Sequence, residues 1–185
     1  MTLLFDEAAS ATQAPHNLYF AIRPDAAAAQ AACALGRAAG QVMDPERLHV
    51  SLYSLGMHQG FPRQLVAEAA GAAGGIRQPA FLVALDRMAT WGRGRGPLPV
   101  VAWAEDGVTG VRELHGRLHA AVAPMAPWRR RKATIEPHLS LWRADARAPV
   151  TFMPPIRWWV REFVLLDSRY GEGRHKVLDR FALAG

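Results

Sequence analysis

Two hexapeptides decide most of what this chain can fold into: Leu48-His49-Val50-Ser51-Leu52-Tyr53 and Pro137-His138-Leu139-Ser140-Leu141-Trp142. Both alternate apolar with polar or aromatic residues at a period of two, which is the side-chain period of a β-strand. Val50 and Leu52, like Leu139 and Leu141, then point to one face and need a covering layer. His49, Ser51 and Tyr53 share the other face, as do His138, Ser140 and Trp142. A chain with two such strands needs sheet and cover together.

The remaining pattern supplies that cover. Strands are expected over 17–23, 47–55, 80–88, 98–104, 134–143, 158–166 and 176–183. Helices are expected over 25–39, 62–71 and 108–122. The helix at 108–122 carries Val111, Leu114, Leu118 and Val122 at helical spacing, and Pro124 ends it. Strands predominate after the first third, so the fold class is α+β, an antiparallel-rich sheet with helices against it. Residues 1–15 are aperiodic and expected to be a flexible N-terminus, with 16–185 a single domain. The two motif strands, each preceded by a helix, suggest an internal repeat.

With 50% hydrophobic and 21% charged residues among 185, the composition is that of a globular protein. No window approaches the ~20 apolar residues a bilayer span needs. Met1 to His16 lacks a basic start followed by an apolar run, so no signal peptide is read and a cytoplasmic address is expected. A single Cys33 allows no internal disulfide and is read as a small buried side chain. The formal net charge of +6 suits a polyanionic partner such as nucleic acid, though it also serves plain solubility. A monomer without an obligate protein partner or membrane association is expected.

Seven His and eleven Ser plus Thr in 185 residues would produce roughly 0.4 His-x-Ser/Thr triplets by composition. There are two, both in alternating strands and both followed by Leu and an aromatic ring. Imidazole exchanges protons near neutrality, so two across one groove make a general base and a general acid, with no metal or cofactor required. A hydroxyl two residues on, on the same face, can donate to an oxygen of whatever lies between. Two imidazoles and two hydroxyls suit a tetrahedral phosphate and in-line displacement at phosphorus.

At these residues the sequence resembles the two-histidine (2H) phosphoesterase superfamily and, within it, the bacterial RNA 2',3'-cyclic phosphodiesterase or 2'-5' RNA ligase family. The resemblance runs through NLYFAIRPD, RLHVSLYSLG, FLVALDRMATW, EPHLSLWRAD and VREFVLLDSRYGEGRHKVLDRFAL. It implies two pseudo-symmetric lobes of antiparallel sheet facing a central groove, with helices outside. It also implies metal-independent opening of an RNA or nucleotide 2',3'-cyclic phosphate to a 2'-phosphomonoester, with reversible 2'-5' RNA ligation as a side activity. On that resemblance His49 matches the proton donor and His138 the proton acceptor, and Ser51 and Ser140 take the place of the hydroxyls that hold phosphate oxygens. Both are Ser where Thr is more usual, so a methyl that helps fix the rotamer is missing. His175 aligns where relatives often carry a Tyr.

Other features have plainer readings. Tyr53 and Trp142 are candidates for base stacking, with groove packing as the alternative. Arg129, Arg130, Arg131 and Lys132 read as a solvated loop that would guide an RNA backbone if it adjoins the site. Arg143 is out of register with His138 unless a bulge intervenes. His115 and His119 lack a third ligand and read as a solvated helix face rather than a metal site. The Gly-rich stretch from Gly92 to Gly96 reads as a hairpin loop, since no helix follows it. Two other functions remain open: an RNA-binding module without turnover, and a phosphodiesterase for another small cyclic phosphate.

Overall fold

The computed structural model of the chain describes residues 14–93, 96–125, 134–169 and 175–184. Its strands are β1 (His16–Ile22), β2 (Val50–His58), β3 (Phe81–Thr90), β4 (Leu98–Trp103), β5 (His138–Ala144), β6 (Thr151–Val160), β7 (Glu162–Arg169) and β8 (His175–Ala182), and its helices are α1 (Ala26–Ala38), α2 (Arg63–Gly74) and α3 (Thr109–Val122). The strands form one sheet in the order β6-β3-β4-β5-β2-β1-β7-β8, with neighbours antiparallel. Read outward from the centre, β5-β4-β3-β6 runs one way and β2-β1-β7-β8 the other. The two motif strands are thus the inner strands of two half-sheets. They meet at one register pair, Val50 opposite Leu139.

The helices lie on one face of this sheet, because that is where the alternating apolar positions project. Leu18, Phe20, Ile22, Val50, Leu52, Leu139, Ile156 and Trp158 join one buried cluster with Ala28 and Ala32 of α1 and Val111, Leu114 and Leu118 of α3. Helix α1 presents small side chains there and starts at Asp25, whose carboxylate accepts from the Ala28 N–H at 2.9 Å. Helix α3 buries Leu114 and Leu118 completely. On the opposite face Tyr19, Ala21, Val164 and Leu166 make a small separate cluster. No helix among the described residues is long and apolar enough to cross a membrane.

The α+β class and antiparallel sheet match the expectation, but the chain between 151 and 169 does not. One strand was expected over 158–166. Two are present, β6 and β7, separated only by Arg161. Pro154 and Pro155 lie within β6, which is an edge strand, where a missing N–H can face away from the ladder. Their position coincides with a register shift between Leu85 and Arg87 of β3. Beyond it Ile156, Trp158 and Val160 are buried. Strand β6 pairs with β3 and β7 with β1, so the chain passes from one half-sheet to the other within a residue. The sheet must curl for that, and a bridge between Pro79 and Ala184 ties its far parts together as well.

Candidate active site

His49 immediately precedes β2 and His138 opens β5. Since Val50 and Leu139 are register partners facing the helices, the residues flanking them project from the other face. His49 and Ser51 come from one strand and His138 and Ser140 from its neighbour. Both histidines are half-buried and both serine hydroxyls exposed. The two imidazoles are anchored alike. His49 Nδ1–H donates to the Arg47 carbonyl at 2.8 Å, and His138 Nδ1–H donates to the Glu136 carbonyl at 2.8 Å. Each bond holds the ring's orientation and tautomer, leaving Nε2 as the atom that can take or give a proton.

The surroundings of the two rings differ. His49 has the Tyr19 ring at 5.2 Å and the His175 ring edge-on at 4.9 Å. Burial pushes its pKa below the ordinary imidazole value. The Arg47 carbonyl opposes that shift, and the charges of His138, Arg23 and Arg47 add to it. Burial and then the neighbouring His49, Arg47 and Arg23 lower His175 to about 4, so that ring stays neutral. Burial raises Tyr19 to about 12, so its hydroxyl keeps its proton, and that hydroxyl shares a hydrogen bond with His175 Nδ1 at 3.3 Å. His138 instead lies 4.8 Å from the half-exposed ring of Trp91, which in turn meets Trp103 at 6.1 Å. Arg87 stacks over Trp103 at 5.3 Å. A cavity of about 480 Å³ adjoins this half of the site, lined among others by Ser51, Tyr53, Trp91, His115, Glu136 and His138.

Bulges correct the expected facing of two aromatic residues. Ser51 pairs with Ala21 but Tyr53 with Phe20, so two steps of β2 match one of β1 and the alternation inverts. Tyr53 therefore turns from the His49 face toward the core, where it is 4% exposed and meets His119 edge-on at 5.9 Å, while still lining the cavity shared by Ser51 and His138. In β5, Ser140 pairs with Val101 and Arg143 with Pro99, so Leu141 and Trp142 share the place opposite Val100. Trp142 is displaced from the His138 face and half-buried, whereas Arg143 returns to that face and donates to the Pro97 carbonyl at 2.6 Å. His115 is also unlike the solvated reading: it is 3% exposed, and its Nδ1–H donates to the Leu52 carbonyl at 2.8 Å. Among the described residues no three His, Cys, Asp or Glu side chains cluster to hold a metal. Cys33 is buried, as expected. The basic run from Arg129 to Lys132 lies outside the described residues.

Sequence reasoning missed Tyr19, Trp91, Arg23 and Arg47 as neighbours of the imidazoles. Tyr19 and Trp91 each sit in or beside a strand read correctly, but nothing local marks an aromatic ring as lying against a residue on another strand. Arg47, two residues before His49, was the most legible of the four, since its carbonyl anchors the ring.

Comparison with known proteins follows the same outline. A family model described as the 2'-5' RNA ligase superfamily matches residues 23–172. The RNA 2',3'-cyclic phosphodiesterase of Escherichia coli (strain K12) is 31% identical over 152 residues, covering 78% of this chain and 81% of that protein. The apo crystal structure of Escherichia coli LigT superposes with a TM-score of 0.73 at 28% identity, covering 93% of this chain and 99% of that one. LigT complexed with 3'-AMP gives a TM-score of 0.71 at 28% identity, with 92% and 99% covered.

Proposed function

The chain belongs to the 2'-5' RNA ligase superfamily, and from that premise we propose that it hydrolyses RNA or nucleotide 2',3'-cyclic phosphates to 2'-phosphomonoesters, using His49 and His138 as its acid and base and no metal. The observation that carries this reading is the repeated anchor. Two imidazoles on adjacent strands are each held through Nδ1 by the carbonyl two residues before. Structural histidines have no reason to share that arrangement, whereas a proton donor and acceptor both need a free Nε2. The Escherichia coli relative named an RNA 2',3'-cyclic phosphodiesterase supports the substrate class.

In this reaction His138 Nε2 takes a proton from water as its oxygen bonds to phosphorus. The bond from phosphorus to the 3'-oxygen breaks on the opposite side, and His49 Nε2–H protonates that oxygen. Ser51 and Ser140 donate to the non-bridging oxygens, whose charge Arg23 and Arg47 offset. The lowered pKa of His49 is compatible with an acid only in the complex. There the bound phosphate anion counters the two guanidinium charges and favours the imidazolium. Attack by an RNA 5'-hydroxyl on the cyclic phosphate, or reversal of that chemistry, would account for a ligase side activity.

Incubation of a 2',3'-cyclic-phosphate oligonucleotide with the protein in excess chelator tests the proposal. Conversion to the 2'-phosphate is the expected result. Unchanged substrate, or turnover only after a divalent metal is added, overturns it. Binding of RNA without turnover would make the protein a binding module instead.

A further inference from the structure

We infer that the cavity at the ends of β1, β7 and β8, beside the start of α2, is a second anion site. It suits a phosphate dianion or a short oligophosphate and lies across the sheet from the catalytic pair. Its position follows from register. Leu18 is fully buried on the helix side of β1, so His16, two residues earlier, is directed to that side. On β7, Asp167 stands opposite Leu18 and Arg169 opposite His16, and on β8 Lys176 stands opposite Asp167. These side chains share the helix face, whereas Tyr19, Leu166 and Val177 pack together on the other, beside His49. Phe61 and Arg63, at the start of α2, complete a cavity of about 680 Å³, within the range of small-ligand sites. Of the residues lining it, His175 alone has its ring against His49.

Its chemistry is an excess of cations around one buried pair. Arg63, Arg169 and Lys176 bring three positive charges to the lining, and Asp167 brings one negative charge. Asp167 is already committed, since it is 3% exposed and its Oδ2 accepts from His16 Nδ1–H at 2.7 Å. Arg63 and Lys176 pair with no carboxylate among the described residues, whereas Arg23, Arg87 and Arg180 each meet a glutamate. Like charges gathered in a concave site focus a field that a multiply charged anion relieves. Helix α2 adds the partial positive charge of its N-terminus, which has no side-chain cap and no acidic residue in its first turn. The carboxylate holds the His16 ring through Nδ1, and 11% of that side chain remains exposed where it lines the cavity. Its Nε2 suits phosphate in either protonation state: the imidazolium donates to an oxygen, and the neutral ring accepts from a protonated one. A pair that only pinned β1 to β7 would need His16 and Asp167 but not the three cations. Cations converging from two strands and a helix suit a tetrahedral, multiply charged group better than a single carboxylate.

The test follows the imidazole resonances of the full chain by NMR during titration with inorganic pyrophosphate at physiological salt. The His16 ring reports this cavity, and the His49 and His138 rings report the catalytic face. Saturable shifts at His16 with a Kd below ~1 mM are expected. Arg63→Gln and Lys176→Gln should each weaken that Kd at least ~5-fold, with the His49 and His138 response and the turnover of 2',3'-cyclic AMP unchanged. Arg37→Gln, which removes the same charge from the exposed side of α1, should leave the Kd as it was. A silent His16 ring overturns the site. Equal weakening by all three variants overturns it too, because that is attraction by net charge alone. Titration with a 5'-hydroxyl RNA oligonucleotide then assigns the source of the anion. Shifts at His16 that Arg63→Gln weakens place an RNA phosphate there, and a silent ring leaves a free phosphate compound; the site found with pyrophosphate stands in either case. Nothing in the titration requires turnover, so failure of the proposed hydrolysis and failure of this site are read separately.

Discussion

His49 is the residue on which the proposed chemistry turns, because the role we propose for it and its surroundings pull in opposite directions. As the proposed acid it would have to hold a proton to release the 3'-oxygen, yet burial, His138, Arg23 and Arg47 all favour the neutral ring. The kcat/KM profile reports the free enzyme. It should form a bell whose alkaline limb falls below the ordinary imidazole value near 6.5, since activity is lost as pH rises through a lowered pKa. The kcat profile reports the complex, where phosphate restores the proton, so its alkaline limb should lie at higher pH. These limbs belong to the coupled His49–His138 pair rather than to single residues. His49→Ala and His138→Ala should each fold normally and lose at least ~10²-fold in turnover. Ser51→Ala and Ser140→Ala should lose less, because each removes one donor to phosphate and no proton carrier. A flat profile with both histidine variants active would remove the assignment.

At the scale of elements, the motif strands do two jobs with their two faces, and bulges adjust which residue does which. The apolar face of β5 is locked by Leu139, which is fully buried at the one register pair joining the half-sheets. Leu139→Ala should therefore cost about 2–5 kcal/mol in denaturant unfolding, since the joint cannot collapse around the lost methyls without moving both histidine strands. Activity should fall further than the unfolded fraction explains. A cost under about 1 kcal/mol would mean that the joint is not structurally important. The bulges explain where the facing departs from strict alternation. Strict alternation puts Tyr53 and Trp142 beside the histidines, and one extra residue in each ladder moves Tyr53 into the core and brings Arg143 round to the groove face.

Across the whole molecule, the curled sheet makes the two halves interdependent. The chain enters β7 from β6 through Arg161 alone, the central pair joins β2 to β5, and Pro79 and Ala184 tie the start of β3 to the end of β8. Neither half can unfold without stripping a strand boundary from the other, so fluorescence and far-UV circular dichroism should report one coincident thermal transition; two separated transitions would show that the halves fold independently. Much of this molecule was legible in the amino-acid order alone. The three helices and most strands follow from local periodicity and caps, and the twin His-x-Ser strands from a pattern six residues long, because those signals lie within reach of one element's own repeat. The tertiary structure alone decided the rest: β6 as an edge strand despite Pro154 and Pro155, Tyr19 and His175 against His49, Trp91 against His138, and His115 beneath the cavity. Each of these depends on which strand lies beside which and on a one-residue shift in register, and such a shift leaves composition and periodicity unchanged while reversing where a side chain points.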